Sequence, residues 1–322
     1  MDNINIAVVI PCYKVRGKIL EVVGSIESYV SRIYVVDDSC PEGTGQYVSK
    51  ECSDSRVVVI TNAVNKGVGG AVIEGYRAAA SGGADIIVKI DGDGQMDAKL
   101  IPSLVGPIVE GRADYTKGNR FYDIETLHGM PKIRLFGNAI LSFVSKFSSG
   151  YWQIFDPTNG FTAIHCGVLM LLPFSKISNR YFFESDMLFR LNTVRAVVVD
   201  VPMSAKYGDE VSGLCVRKIL LEFIAKHCSN FVKRIFYNYY LRDMSVASFE
   251  LPLGVLLCVW GFIFGVGEWI SSVELNIFAS AGTVMLAALP LIFGVQFLLA
   301  FINYDINAVP TQVLHKIIDL RH

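Results

Sequence analysis

The feature that most constrains this chain is a run of 30 residues without a charged side chain, from Leu275 to Tyr304. A second run, from Leu251 to Gly267, has no charged residue over 17 positions. A helix that crosses a membrane needs about 20 predominantly apolar residues. The two runs therefore predict a pair of transmembrane helices, at about 251–270 and 277–302, joined by a tight link. Two buried helices of a soluble protein are the alternative, but such helices rarely run so long without a charge.

Basic residues flank the predicted spans, and the link between them carries no lysine or arginine. The flanking residues are Arg217, Lys218, Lys226, Lys233, Arg234 and Arg242 before the first span, and Lys316 and Arg321 after the second. Because cytoplasmic flanks are rich in lysine and arginine, we expect a multi-pass protein of the inner (cytoplasmic) membrane. Its N-terminal domain and both termini would be cytoplasmic. The first five residues hold no basic stretch, which argues against a cleaved signal peptide.

Composition excludes several classes of protein. Hydrophobic residues make up 52% of the 322 residues and charged residues only 18%, whereas soluble domains average about 25% charged residues. Such a chain is not intrinsically disordered. The net charge of −1 provides no basic field, so no nucleic-acid partner is expected. The seven cysteines form no Cys-x-x-Cys pair, which argues against a disulfide framework or a zinc site.

The first 210 residues alternate short β-branched runs with helical stretches, a pattern typical of an α/β domain. The predicted strands are Ile4–Ile10, Ile33–Val36, Val57–Thr61, Asp85–Ile90 and Ala196–Val201. The predicted helices are Val15–Val30, Gly45–Cys52, Gly69–Ser81 and Ala98–Glu110. Apolar strands separated by helices indicate a mostly parallel, Rossmann-like sheet with helices on both faces. Ligands of such sheets bind beyond the carboxyl ends of the strands.

Residues 216–241 place apolar side chains at helical spacing, with basic residues between them. This pattern predicts amphipathic helices on the membrane surface. Packing against the α/β domain is the alternative, and both can hold. We therefore expect an α/β domain at 1–210, surface helices at 211–248, two spans within 249–305 and a cytoplasmic tail at 306–322.

Polar groups directly follow three of the predicted strands. Ile10-Pro11-Cys12-Tyr13-Lys14 ends the first, Asp37-Asp38 the second, and Asp91-Gly92-Asp93-Gly94-Gln95 the fourth. Two carboxylates two residues apart repel each other. Mg²⁺ or Mn²⁺ removes that cost, because it binds one or two carboxylates together with phosphate oxygens. A solvated turn is the alternative for Asp91-x-Asp93, but its place after a buried strand and beside Asp37-Asp38 favours a metal-assisted phosphate site.

The segment from Asn65 to Ala71 opens the helix after the third predicted strand. It fails the Gly-x-Gly-x-x-Gly fingerprint of dinucleotide-binding loops, because position 72 is valine. The backbone amides of a helix N-terminus, with Lys66 beside them, are suited to a nucleotide diphosphate. Close packing of the glycines and the alanine is the alternative.

The motifs IPCYK, VVDDSC, NKGVGGAVIEGYRAA, KIDGDGQ, KGNRF, DPTNGF and FFESDMLFRL together resemble those of the family 2 glycosyltransferases, which have the GT-A fold. Their order and spacing are most similar to the polyprenyl-phosphate glycosyltransferases, the branch that includes the dolichyl-phosphate mannose synthases. The resemblance covers about residues 4–205. The predicted membrane hairpin resembles that of bacterial undecaprenyl-phosphate sugar synthases.

The resemblance implies which residues bind the donor. These would be Pro11, Tyr13, Asp38, Lys66 and Asp91. Asp38 would contact the base or ribose, and Asp91 would handle the diphosphate. Asp93 would be the direct ligand of Mg²⁺ or Mn²⁺, and Gln95 would complete the metal shell.

The resemblance also implies a reaction centre. Arg120, Arg134 and Asn138 would hold the donor and acceptor phosphates, and Asp156 would lie near the reacting atoms. Glu184 or Asp186 matches an acidic position on the following helix, and the sequence leaves that choice open. Asn138 stands where relatives often have serine, and Gly94 where many have an apolar residue. These departures concern the acceptor rather than the class of enzyme.

The implied activity is an inverting, metal-dependent transfer of a sugar from a nucleotide sugar to a membrane polyprenyl phosphate such as undecaprenyl phosphate. UDP is slightly favoured over GDP. One alternative is a glycosyltransferase that extends a lipid-linked oligosaccharide for O-antigen or capsule synthesis. Another is a non-catalytic membrane scaffold that binds a nucleotide sugar. A homo-oligomer is compatible with all three.

Overall fold

The computed structural model of this chain describes residues 4–122, 132–203 and 216–319, and these contain a seven-stranded sheet. The strands are β1 (Ile6–Cys12), β2 (Val30–Asp37), β3 (Val57–Thr61), β4 (Ile86–Lys89), β5 (Tyr115–Asn119), β6 (Thr162–His165) and β7 (Val198–Pro202). Their order across the sheet is β3-β2-β1-β4-β6-β5-β7. Only β6 runs antiparallel to its neighbours, so the prediction of a mostly parallel sheet is confirmed.

The sequence patterns predict five of these strands and miss β5 and β6. Strand β5 contains Lys117 and Gly118, and β6 is four residues long, so neither forms an apolar run. The antiparallel direction of β6 has a consequence for the site. It brings the chain that leads into β6 to the edge where the parallel strands end.

The same part of the chain also forms helices. They are α1 (Ile19–Gly24), α2 (Thr44–Glu51), α3 (Val68–Ser81), α4 (Ile101–Val109), α5 (Lys132–Ser149), α6 (Cys166–Leu169) and α7 (Phe183–Thr193). The predicted helix Val15–Val30 is wrong at both ends. Helix α1 is shorter because the Ser25 amide closes its last turn on Glu21, and Val30 already pairs with Ile6 in the sheet.

Close contact between α3 and the sheet requires a residue without a side chain at Gly75. A Cβ atom there would collide with Val9 of β1 and would lie 3.1 Å from Val36 of β2. Both valines are fully buried. Gly75 lies after the segment from Asn65 to Ala71, so this contact leaves both interpretations of that segment open.

The described chain divides into two compact units, Met1–Phe231 with Pro310–His322, and Val232–Val309. Helix α8 (Val216–Phe236) runs from the first into the second and is followed by a π-helical turn, Tyr237–Arg242. The second unit also holds α9 (Ala247–Leu275) and α10 (Ala281–Asn307). Both are long and apolar enough to cross a membrane, judged by length and composition. They extend beyond the predicted spans at 251–270 and 277–302.

Glycines allow α9 and α10 to pack closely as a hairpin. A Cβ on Gly254 would lie 2.9 Å from Leu298, and one on Gly294 would lie 2.6 Å from Cys258. Small residues of this kind let apolar helices approach through their backbones. Arg234 and Asp305, at the base of the hairpin, form a buried bidentate ion pair with distances of 2.6 and 3.0 Å.

The residues after the hairpin return to the first unit, where α11 (Leu314–Asp319) is bound by Asp114. The fully buried Asp114 carboxylate accepts the backbone N–H groups of Leu314 and His315 at 2.8 and 2.9 Å, and that of Val197 at 2.8 Å. His315 Nδ1 lies 2.8 Å from the same carboxylate. Burial alone would raise the pKa of Asp114, but these hydrogen bonds outweigh burial and hold the pKa below its ordinary value.

We predict that Asp114→Asn lowers the free energy of unfolding by about 3 kcal/mol at pH 7, because a buried, multiply bonded charge is lost. A carboxylate whose pKa is lowered by folding stabilises the fold above its unfolded pKa of about 3.9. That stability is lost as pH falls through the lower folded pKa. The difference between wild type and variant should therefore shrink below about pH 4.

Thermal and denaturant unfolding of the full chain in detergent measures both effects. Glu110→Gln is the control, because Glu110 is exposed and pairs only with a surface arginine. Equal stability of Asp114→Asn and the control would show that Asp114 does not hold α11 in place.

Candidate active site

The predicted site residues come from several strand ends at one edge of the sheet. Asp38 follows β2, Asp91 follows β4 and Arg120 follows β5. Asp156 lies in the chain that leads into β6, which reaches the same edge because β6 is antiparallel. Glu184 is added by the first turn of α7.

Lys89, the last residue of β4, is the buried cation that links these groups. Its Nζ lies 2.8 Å from Asp91 Oδ1 and 3.1 Å from Glu184 Oε1, and its side chain is 1% exposed. Burial alone would lower the pKa of Lys89, but the two carboxylates outweigh burial and raise that pKa above its ordinary value. Lys89 therefore stays charged at neutral pH and joins the end of β4 to α7.

Gly160, in the Asp-Pro-Thr-Asn-Gly-Phe motif, leaves the space that this ion pair needs. A Cβ atom at Gly160 would collide with Lys89 Nζ and would lie 2.6 Å from Asp91 Oδ2. The backbone of the motif thus covers the Lys89–Asp91 pair directly. This explains in physical terms why a glycine stands at this position.

A second buried lysine, Lys117 of β5, lies in the same network. Its ammonium donates a hydrogen bond to the carbonyl oxygen of Asn159. Burial lowers the pKa of Lys117 to about 8, although the charges of Glu184 and Asp156 oppose this shift. The two lysines therefore differ, because Lys89 is paired directly with carboxylates and Lys117 is not.

Arg120 and Asp156, predicted for different roles, form one bidentate ion pair. Arg120 Nε lies 2.8 Å from Asp156 Oδ2, and Nη2 lies 3.0 Å from Oδ1. The Asp156 side chain is almost fully buried. A bidentate pair fixes the plane of the guanidinium as well as its position.

Burial raises the pKa of Asp200 to about 6, although a hydrogen bond from the Phe155 amide opposes this shift.

Asp38 is buried and binds the loop between β3 and α3. Its carboxylate accepts hydrogen bonds from Asn62 Nδ2 at 2.7 Å and from the backbone amides of Lys66 and Gly67 at 2.9 and 2.7 Å. The Lys66 side chain pairs with Glu74 of α3 at 2.8 Å. The structure thus gives Asp38 a role in shaping this loop, and nucleotide contacts of Asp38 and Lys66 remain predictions.

The two acidic residues of α7 have different partners. Glu184 lies against Lys89 and so belongs to the cluster at the strand edge. Asp186 accepts the Ser178 amide at 2.9 Å and Asn230 Nδ2 at 3.0 Å. Asp186 therefore binds α7 to a neighbouring loop and to α8. The sequence leaves the choice between them open, and these contacts favour Glu184 as the residue that acts on the site.

The turn after β4 supplies donors that fit a divalent cation. Asp93 Oδ1 accepts the Gln95 amide at 2.9 Å, and Gly94 adopts φ +77°, which favours glycine. Among the described residues, no three His, Cys, Asp or Glu side chains are arranged as a complete metal site. Two partly exposed carboxylates and an amide nevertheless match what Mg²⁺ or Mn²⁺ binds when phosphate oxygens complete its shell.

The remaining predicted residues are less closely connected to this cluster. Pro11 is buried within β1 beside Val36, and Tyr13 is exposed after the strand. Asn138 is half-buried on α5. The side chain of Arg134 lies outside the described residues, so its role stays a prediction.

Lys89, Lys117 and Gly160 are not among the site residues predicted from the sequence. A signal for the lysines is present, since Lys89 ends one buried strand and Lys117 lies within another. A lysine is buried in such a strand only when a partner offsets its charge or its desolvation. The partner of Lys89 lies 95 residues away on α7, and a single sequence does not reveal that pairing.

We predict that Gly160→Ala lowers the free energy of unfolding by about 2 kcal/mol, because the added methyl group overpacks the Lys89–Asp91 pair. Gly24→Ala is the matched control, since a Cβ at Gly24 meets nothing within 4 Å. Denaturant unfolding in detergent compares the two variants. Equal stability of Gly160→Ala and Gly24→Ala would show that Gly160 does not lie against the Lys89–Asp91 pair.

Comparison with known proteins identifies the family of this chain. Residues 7–171 match the family model of Glycosyl transferase family 2, which is just over half of the chain. A UDP-N-acetylglucosamine–dolichyl-phosphate N-acetylglucosaminyltransferase of Methanococcus voltae is 29% identical, over 63% of this chain and 86% of its own length. An undecaprenyl-phosphate mannosyltransferase of Micrococcus luteus is 28% identical, over 61% of this chain and 81% of its own.

A solved structure shares the fold. Glucosyl-3-phosphoglycerate synthase of Mycobacterium tuberculosis, crystallised with Mn²⁺, UDP and glucosyl-3-phosphoglycerate, matches with a TM-score of 0.54. The match covers 72% of this chain and 80% of that one, at 19% identity. The expected GT-A-like sheet, followed by two long apolar helices, is thereby confirmed. The chain belongs to glycosyl transferase family 2, and its relatives include glycosyltransferases named for dolichyl and undecaprenyl phosphate.

Proposed function

We propose that this glycosyltransferase moves a sugar from a UDP-linked nucleotide sugar to the phosphate of a membrane polyprenyl phosphate such as undecaprenyl phosphate. The observation that carries the proposal is the cluster of acidic and basic groups at the strand edge, in a chain that also has a hairpin of membrane length. The names of the two relatives support a lipid-phosphate acceptor. The name of the Methanococcus voltae relative and the UDP in the solved structure support a UDP-linked donor.

The charges at this edge favour a cation that arrives with the donor. The turn after β4 carries two carboxylates, Asp91 and Asp93, and the ammonium of Lys89 is shared between Asp91 and Glu184. A nucleotide diphosphate adds further negative charge. Asp93 and Gln95 would hold Mg²⁺ or Mn²⁺, which would neutralise charge on the leaving diphosphate, and Asp91 would face that diphosphate.

The transfer needs little acid–base chemistry. A phosphate oxygen of the acceptor forms a bond to C1 of the sugar, and the bond from C1 to the nucleoside diphosphate breaks. The diphosphate leaves with the electron pair, and attack from the opposite face inverts the configuration at C1. A phosphate monoester has its second pKa near 6, so it is already anionic at pH 7 and requires no strong base.

Asp156 and Glu184 act mainly by positioning charge. Asp156 orients the Arg120 guanidinium, which binds phosphate at the strand edge. Glu184 shares the positive charge of Lys89 with Asp91. This leaves more of the Asp91 negative charge to attract the cation that accompanies the donor. Arg134 and Asn138 add to the acceptor side.

The membrane segment brings the enzyme to its acceptor. A polyprenyl phosphate keeps its phosphate at the headgroup plane, so an enzyme anchored in the bilayer meets it without extracting the tail. We assign residues 1–210 to catalysis, 211–248 to the membrane surface, 249–305 to the bilayer and 306–322 to a cytoplasmic tail. The basic flanks of the hairpin favour a cytoplasmic catalytic domain.

The test uses the full chain in vesicles that contain undecaprenyl phosphate, with radiolabelled UDP- and GDP-sugars and Mg²⁺ or Mn²⁺. We expect label in an acid-labile lipid, with UDP-sugars preferred. Asp93→Asn should reduce transfer by about 100-fold, as expected for loss of a charge-stabilising group. Asp97→Asn is the control, because this nearby acid caps the helical turn at Lys99 and should leave transfer close to wild type.

Other outcomes would contradict the proposal. Label only on a pre-formed pyrophosphate-linked glycan would indicate an enzyme that extends lipid-linked oligosaccharides. Nucleotide-sugar binding without transfer to any acceptor would indicate a scaffold. Full activity of Asp93→Asn would remove the assigned metal ligand.

A further inference from the structure

Asp200 of β7 joins the two chain segments that carry the Arg120–Asp156 ion pair. Its Oδ2 atom accepts a hydrogen bond from Asn119 Nδ2 at 2.9 Å and another from the backbone N–H of Phe155 at 3.0 Å. Asn119 directly precedes Arg120, and Phe155 directly precedes Asp156. A single carboxylate oxygen thus connects the residue before the arginine with the residue before the aspartate.

Two further contacts complete a ring around this ion pair. Asn119 Oδ1 accepts the backbone N–H of Phe121 at 2.9 Å, so the Asn119 side chain spans Arg120. The Phe121 ring packs edge-on against Phe155, with 5.3 Å between the ring centroids. The segment of the arginine is therefore bound to the segment of the aspartate both before and after Arg120. The orientation of the guanidinium depends on these contacts as well as on Asp156.

The carboxylate of Asp200 is not needed to keep β7 in the sheet. Strand β7 pairs in parallel with β5 along its whole length, from Tyr115 opposite Val198 to Asn119 opposite Pro202. The side-chain bonds of Asp200 act instead on the two segments at the strand edge. We therefore expect a change of charge at position 200 to alter the site more than the fold.

The surroundings of Asp200 balance its charged and neutral forms. Burial raises its pKa to about 6 and the charge of Asp156 acts in the same direction, whereas the Phe155 amide and the charge of Lys117 oppose the rise. Burial lowers the pKa of Lys146 of α5, and the charge of Asp200 opposes that shift. The second oxygen of Asp200, Oδ1, is buried and has no hydrogen-bond partner among the described residues. A proton on Oδ1 therefore leaves both bonds to Oδ2 in place.

We propose that Asp200 is a positioning residue, which fixes the plane of the Arg120 guanidinium for the donor diphosphate by joining the two segments of the Arg120–Asp156 pair. Asp200 acts through Arg120, whose side chain is 28% exposed. A charged carboxylate accepts stronger hydrogen bonds than a neutral acid, so the guanidinium is held best above about pH 6. The inference rests on the proposed function, because it takes the ligand of Arg120 to be the diphosphate of a nucleotide sugar.

The test compares wild type with Asp200→Asn as the full chain in detergent, by titration calorimetry with UDP and Mn²⁺. Asparagine has the shape of the neutral acid, and its amide oxygen can accept both bonds. Well above pH 6 we expect UDP to bind about tenfold more weakly to the variant, because two charge-assisted bonds become neutral ones. Below about pH 6 the ratio of the two dissociation constants should approach one, and the titration of UDP itself cancels in this ratio. Asn119→Ala removes the same link from the other end and should weaken UDP binding to a similar extent.

A double-variant cycle distinguishes positioning from a purely structural role. Arg120→Lys keeps a positive charge beside Asp156 but lacks the planar fork of the guanidinium. In that background Asp200→Asn should weaken UDP binding by about twofold or less, because no guanidinium plane is left to fix. Asp85→Asn is the matched control. Asp85 also accepts a backbone N–H, that of Asn5 at 2.8 Å, but it precedes β4 at the opposite edge of the sheet, so its loss should leave UDP affinity unchanged at every pH.

Three results would overturn the inference. They are equal UDP affinity of wild type and Asp200→Asn well above pH 6, a ratio that does not change with pH, and an additive loss in the double variant. Transfer to undecaprenyl phosphate is measured separately on the same preparations. Coupled UDP binding without transfer would keep the positioning role and contradict the proposed acceptor, and transfer without the coupling would do the reverse. Absence of UDP binding by wild type would contradict both.

Discussion

The arrangement of the site depends on one buried cation, Lys89, held between Asp91 and Glu184. A lysine removed from water needs polar or charged partners that compensate for its lost hydration, and the partners of Lys89 are two carboxylates. This requirement fixes the distance between the end of β4 and the first turn of α7. It also requires a glycine at position 160, because the motif before β6 crosses directly over the pair. Three segments far apart in the sequence are thereby held at one edge.

The direction of one strand explains why that edge is so rich in charge. In a wholly parallel sheet, only the residues that follow each strand would reach it. Because β6 is antiparallel, the residues before it arrive there too, and they include Asp156. Its bidentate pair with Arg120, which follows β5, is a direct product of this topology. The sheet thus places an arginine of fixed orientation at the same edge as the acidic turn after β4.

Most strands, the two long helices and the acidic turn after β4 can be predicted from the sequence, and there are physical reasons why other elements cannot. Apolar β-branched runs identify strands β1, β2, β3, β4 and β7, and long runs without charge identify the two long helices. Asp-x-Asp after a buried strand identifies the acidic turn. Strand β5 is not predicted because Lys117 interrupts its apolar pattern. The choice between Glu184 and Asp186 stays open in the sequence because it depends on contacts with residues far away in the chain. Helix α5 is also missing from the prediction, although Phe136, Ile140 and Phe143 stand at helical spacing.

The most direct test of the central claim compares Glu184→Gln with Asp186→Asn in a sugar-transfer assay of the full chain. If Glu184 acts through Lys89, the Glu184→Gln variant leaves Asp91 as the carboxylate that balances the positive charge of Lys89. The KM for the nucleotide sugar should then rise about tenfold. Asp186→Asn, which disturbs contacts to Ser178 and Asn230, should lower thermal stability and leave that KM unchanged. The opposite pattern, a raised KM in Asp186→Asn and a wild-type KM in Glu184→Gln, would contradict the account.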